Sequence, residues 1–83
     1  MNIKRLMYKL QTALCQKGRH IKINQFQSYS ERSDRMVTKF VVSEKRETPL
    51  GVKKDFVILE THRMADVVKT LAELYGEANG TDN

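Results

Sequence analysis

The sequence predicts an α+β fold in the order helix, three strands, helix (αβββα), a two-layer domain with both helices on one face of an antiparallel meander. Three observations predict it. Met36 to Ser43 is the one long run rich in β-branched and aromatic residues that no turn residue interrupts. Amphipathic helical stripes lie at both ends of the chain, and the segments between the apolar runs are short and polar.

The first element is a helix because Ile3, Leu6, Met7, Leu10, Ala13 and Leu14 recur at helical spacing, with Lys4, Arg5, Lys9, Gln11, Gln16 and Lys17 on the flanks and back. Asn2 suits an N-cap and Gly18 a left-handed stop. From His20 to Tyr29 the pattern alternates, with Ile21 and Ile23 on one side. Phe26 then falls on the other side, so the strand either bulges near Asn24-Gln25 or turns Phe26 outward; an edge strand with Tyr29 back on the Ile21 side fits best. Ser30 to Asp34 makes the turn.

In the central strand Met36, Thr38, Phe40 and Val42 share one side, with Phe40 and Val42 toward a core, and Lys39 faces water. Glu44 to Lys54 reads as a long hairpin loop around Pro49 and Gly51, basic at its end. Asp55 to Glu60 is a third strand, apolar on both sides in its middle, so alternation alone leaves its register open. Thr61 suits the cap of a final helix carrying Met64, Val67, Val68, Leu71, Leu74 and Tyr75, which Gly76 is expected to end. Residues 1–76 therefore make one domain, and 77–83 a flexible polar tail. The sheet face away from the helices is expected to be partly bare, showing Lys22, Asn24, Lys39 and Lys45.

At 83 residues the chain holds one domain at most, and a domain of this size buries only about 60% of its unfolded surface, so dimerisation would be a natural supplement. A single cysteine excludes an internal disulfide, which reads as intracellular. The basic start is not followed by an apolar run, so no signal peptide is expected, and nothing approaches a membrane span.

Charge is polarised along the chain. Residues 1–54 hold thirteen Lys/Arg against four Asp/Glu, a net +9, and residues 55–83 hold two against six, a net −4. A basic first part suits phosphates, an acidic protein surface or the acidic end of another copy, and equally an ordinary solvated surface. Catalysis finds little support. His20 and His62 stand alone, Cys15 sits at a helix C-terminus where the dipole disfavours a thiolate, and the glycines are scattered singly with no phosphate loop. No enzyme activity, metal or cofactor is expected. The candidate contacts for nucleic acid or an acidic partner are Arg32 and Arg35 in the first turn, Lys45 and Arg46 at the end of the central strand, and Lys53 and Lys54 in the second loop. A meander sets its two hairpin loops at opposite ends of the sheet, so these six need not form one patch. Phe26 and Tyr29 would add base stacking if exposed, although aromatics in so small a domain are more often core.

The element order resembles the double-stranded-RNA-binding domain in architecture. The residues that would carry that family's contacts differ: His62-Arg63-Met64-Ala65-Asp66 lacks its lysine cluster, and Ser30 to Arg35 lacks its Gly-Pro loop. A second likeness rests on residues across nearly the whole chain. Leu6 to Leu10 with Thr12-Ala13-Leu14, Lys22-Ile23-Asn24, Gln27 to Glu31, Arg35 to Lys39, Leu59-Glu60-Thr61 and Val67 to Ala72 resemble small uncharacterised proteins encoded by phages and integrated elements of Gram-positive bacteria. That resemblance implies a phage or mobile-element setting and no particular activity. The sequence thus points to a non-enzymatic accessory protein acting through a basic surface. The alternatives are a self-associating structural protein that pairs through the bare sheet face or the third-strand edge, and an inhibitor of a host nucleic-acid-processing enzyme.

Overall fold

Phe40 and Val42 project from one side of the central strand into a cluster with Met7 and Leu14 of the first helix, Ile21, and Val67 and Leu71 of the last. This computed structural model describes residues 2–80. Its elements are α1 (Ile3–Gln16), β1 (Ile21–Ser30), β2 (Arg35–Glu47), β3 (Lys53–Thr61) and α2 (Met64–Gly80). The strands form one antiparallel sheet in the order β1-β2-β3, and the helices pack on each other and on the same sheet face. The αβββα expectation is met, and its physical basis is visible: two helical stripes and one sheet face close a single core.

Local chemistry sets the boundaries of α1. Asn2 Oδ1 accepts from the backbone N–H groups of Lys4 and Arg5 at 3.0 and 3.3 Å, satisfying two donors that a helix start leaves without partners. Gly18, at φ +91°, takes the left-handed turn that ends it. β1 then pairs with β2 in unbroken register from Ile21 opposite Glu44 to Ser30 opposite Arg35. No bulge intervenes, so Phe26 faces away from the helices and is 54% exposed, while Tyr29 returns to the Ile21 side. Asp34, at φ +52°, closes the turn and accepts a hydrogen bond from the Tyr29 hydroxyl.

Three expectations need correction. The second hairpin loop is not Glu44 to Lys54, because β2 runs on to Glu47 and β3 begins at Lys53. Cross-strand pairing continues through Glu44 opposite Phe56, Arg46 opposite Lys54 and Glu47 opposite Lys53, leaving only five residues in the loop. Thr61 is the last residue of β3 and not a helix cap in place: its hydroxyl accepts from Arg63 N–H at 3.1 Å and donates to Asp66 Oδ2 at 2.7 Å, and the helix starts at Met64. Gly76 does not end α2. It lies inside the helix without a positive φ, and Glu77, one position on, reaches Arg19 at 3.8 Å. Residues 77–80 thus belong to α2, and the remainder of the expected tail, 81–83, lies outside the described residues.

The register of β3 that alternation left open is resolved by a bulge. Leu59 stands opposite Val42 but Val57 opposite Ser43, so Ile58 is an extra residue. Ile58 and Leu59 both pack against the core, and Val57 turns to the far face. An apolar run on both sides of a strand becomes compatible with a sheet covered on one face only.

The two layers differ in length. β2, at 13 residues, spans about 40 Å, whereas the 14-residue α1 covers about 21 Å. Both hairpins therefore reach beyond the helices. The radius of gyration, 14.7 Å, exceeds the roughly 12 Å of a compact chain of this length for the same reason. Among the described residues, no helix is long and apolar enough to cross a membrane.

Leu71 is fully buried at the centre of the cluster, whereas Leu50 in the second loop is 91% exposed. Leu71→Ala is expected to cost about 2–5 kcal/mol, a large fraction of the stability of a small domain, and Leu50→Ala less than about 0.5 kcal/mol. Urea denaturation midpoints of the two variants measure the difference.

Candidate interaction surface

The six candidate cations separate into two groups. Arg32 lies in the first turn and Arg35 opens β2 beside it; ten residues along the strand, about 33 Å away, stand Lys45 and Arg46. Lys53 and Lys54 join the second pair, because Glu47 and Arg46 stand opposite them across the ladder. The structure therefore assembles Lys45, Arg46, Lys53 and Lys54 at one end and leaves Arg32 and Arg35 at the other.

Since these four residues are on strands, alternation sends them to both faces. Arg46 and Lys54 form a directly opposed pair on the helix side, and Lys45 and Lys53 lie on the far side, opposite Asp55 and Glu47. Of the four, only Arg46 has a carboxylate within 4 Å among the described residues, Glu44 at 2.8 Å. Lys45, Arg46 and Lys53 line an open cleft with His20 and Glu47. Arg46 also lies over the ring of Phe56, 5.6 Å from its centroid, holding the guanidinium on an aromatic face. At the other end, Arg32 and Arg35 are exposed and without a carboxylate within 4 Å among the described residues, although Glu31 and Asp34 share the turn.

Sequence reasoning missed the group that builds the basic end. Glu44 is buried, and Arg19 donates to both its carboxylate oxygens, Nε to Oε2 at 2.9 Å and an amino nitrogen to Oε1 at 3.1 Å. Arg46 Nε donates to Oε1 at 2.9 Å. The Arg19 hydrogen bonds, with those of Arg46, hold the Glu44 carboxyl below its ordinary range against the opposing effect of burial. Glu44 in turn raises Arg19 further. Arg19 and Glu44 are 25 residues apart with no local motif linking them, so only the fold brings them together.

The far face of the sheet is open, as expected, and Lys22, Asn24, Lys39 and Lys45 lie on it together with Phe26, Val41, Val57 and Glu60. It is less cationic than the sequence implies. Lys22 reaches Asp55 at 3.9 Å and Lys39 reaches Glu60 at 3.5 Å, and Ser43, between Lys22 and Val57 in register, is buried. Two of the three titratable candidates weighed for catalysis take structural contacts. Cys15 Sγ donates to Ile21 O at 3.7 Å, and His62 Nδ1 lies 3.0 Å from Thr38 O, a bond in which the ring nitrogen must be the donor. Among the described residues, no group of three or more His, Cys, Asp or Glu could hold a metal ion.

Fold and surface together define a small α+β protein with an open sheet face and a cationic ribbon end. No family model, curated protein or solved structure matches the chain.

Because the folded-state pKa of Glu44 is depressed, its contribution to stability is fully present above the unfolded carboxylate value. That contribution fades as pH falls through the lower folded value. Glu44→Gln is thus expected to cost on the order of 1.5–3 kcal/mol at neutral pH, the range for hydrogen bonds to charged groups. The gap to wild type should narrow steadily below the ordinary value of 4.5. Denaturation of both proteins across an acid pH series reads it directly.

Proposed function

We propose that this is a non-enzymatic binding protein whose β2–β3 ribbon end takes the phosphate backbone of a nucleic acid. The observation that carries the reading is the disposition of Lys45, Arg46, Lys53 and Lys54 on both faces of one projecting two-stranded ribbon, three of them without a carboxylate within 4 Å among the described residues. Arg46 is already held by Glu44 at 2.8 Å, so the cost of standing opposite a like charge falls on Lys54, which a bound anion would relieve. A two-stranded ribbon is also of a width that the major groove of a duplex admits, with phosphates along both walls. Cations on both faces suit such a groove better than a flat acidic protein surface, which would meet only one of them.

His20, in the same cleft, and Arg46, seated on Phe56, would add hydrogen-bonding groups beside the lysines. Arg32 and Arg35, at the far tip, would make a separate and lesser contact. The phage or mobile-element setting rests on the sequence resemblance, and an accessory protein that occupies nucleic acid is consistent with it.

The test is fluorescence anisotropy with a labelled duplex over a salt series. Wild type should bind with a steep salt dependence. Charge reversal of Lys45, Lys53 and Lys54 together should lower the slope of log K against log salt by about 2–3, near 0.9 for each phosphate no longer neutralised. Reversal of Arg32 and Arg35 should lower it less. Wild-type binding that is absent at low salt, or unchanged by the triple reversal, overturns the reading; retained binding to an acidic protein alone would instead assign the ribbon to that partner.

A further inference from the structure

We infer that the outer edge of β1 is a pairing surface for a second copy of this chain, through a two-fold antiparallel junction centred on Phe26. β1 is an outer strand of the sheet, so alternate residues turn their N–H and C=O groups away from β2. The Lys45 N–H donates to His20 O, and Gln11 Nε2 donates to Ile21 O at 3.0 Å from the α1 side. That alternation makes Ile23, Gln25, Gln27 and Tyr29 the outward-bonding residues. Among the described residues, α1 closes the edge only at Ile21 O, leaving the outward groups from Ile23 to Tyr29 without a hydrogen bond from the helix.

The two outer strands are treated differently. Edge strands normally resist pairing with other chains by carrying charges, proline or bulges. β3 does so, with Lys53, Lys54, Asp55 and Glu60 along it and the bulge at Ile58. β1 has neither device: Ile23 to Ser30 is eight residues without a charge, proline, glycine or register break. Its hairpin also reaches beyond the helices with Phe26, Tyr29 and Met36 exposed at 54%, 56% and 60%. Two strands alone are marginal in water, and a third stabilises them.

A second copy fits this edge because the strand is complementary to itself. Pairing outward residues with outward residues about Phe26 sets Gln25 opposite Gln27, Ile23 opposite Tyr29, and Phe26 opposite Phe26 at a non-hydrogen-bonded position, where side chains approach most closely. No like charges meet, since Lys22 stands opposite Ser30. Glu31, in the turn just beyond, comes opposite Ile21 of the second copy, so it too meets no like charge, and the two-fold axis repeats each of these pairings. The product is a continuous six-stranded sheet with all four helices on one face. The ribbon ends that the polyanion reading uses lie outside the junction, so the two ideas stand or fall separately.

Sedimentation equilibrium of the wild-type chain through the micromolar range should show a shift from monomer to twice the monomer mass that added salt does not abolish. Gln25→Pro removes an outward N–H at an edge position where proline is tolerated, and Phe26→Lys sets two cations face to face. Each should weaken association by on the order of tenfold or more while leaving the circular dichroism of the fold unchanged. Val57→Lys, on β3, should leave association unchanged. In a Cys15→Ser background, Phe26→Cys should oxidise to a linked dimer, because Cα atoms at such a position lie about 4.5 Å apart. A wild-type chain monomeric throughout, a dimer lost with Val57→Lys but kept with Gln25→Pro and Phe26→Lys, or no cross-link at concentrations where the dimer forms would each overturn the inference.

Discussion

The one constraint on which everything else in this molecule depends is that its sheet is covered on a single face. Phe40 and Val42 at the middle of β2 meet Met7, Leu14, Val67 and Leu71, and among the described residues this cluster is the whole of the buried apolar core apart from Ile21. A chain of this size has no further apolar surface with which to cover the second face. That face must therefore be made tolerable to water by its own side chains, and Lys22 with Asp55 and Lys39 with Glu60 do this across the strands. The hairpin ends that outrun the helices follow from the same shortage.

Where the sequence was legible, it was because a periodicity met a cap or a turn. The stripe from Ile3 to Leu14 is bounded by Asn2 and Gly18, and both took the roles their chemistry suggests. The alternation of Phe40 and Val42 fixed the core side of β2 without help from any other element. Phe26 was left between two readings because a phase change in an alternating strand looks the same whether the backbone bulges or the side chain faces out. The unbroken register with β2 decides for the second.

In the second hairpin long-range pairing overrode local composition. Glu44 to Glu47 is polar enough to look like a loop, yet Glu44 is neutralised by Arg19 from the α1–β1 corner and the ladder continues through it. The bulge at Ile58 leaves no mark in composition, since Val57, Ile58 and Leu59 are interchangeable strand residues; it exists because both Ile58 and Leu59 reach the core. The six candidate cations could not be grouped from the sequence. The grouping depends on strand direction and on where β2 ends.

The contact between Glu77 and Arg19 joins the last helix to the corner where the first helix enters the sheet. Elements formed earliest in translation thus wait for the latest: α1 has no helical neighbour until α2 has left the ribosome, and until then Met7 and Leu14 have only part of their cover. Nascent chains of this protein would pass through a stage in which the meander exists while one side of it is still greasy and accessible, the stage at which chaperone capture or sticking to other chains would compete with completion.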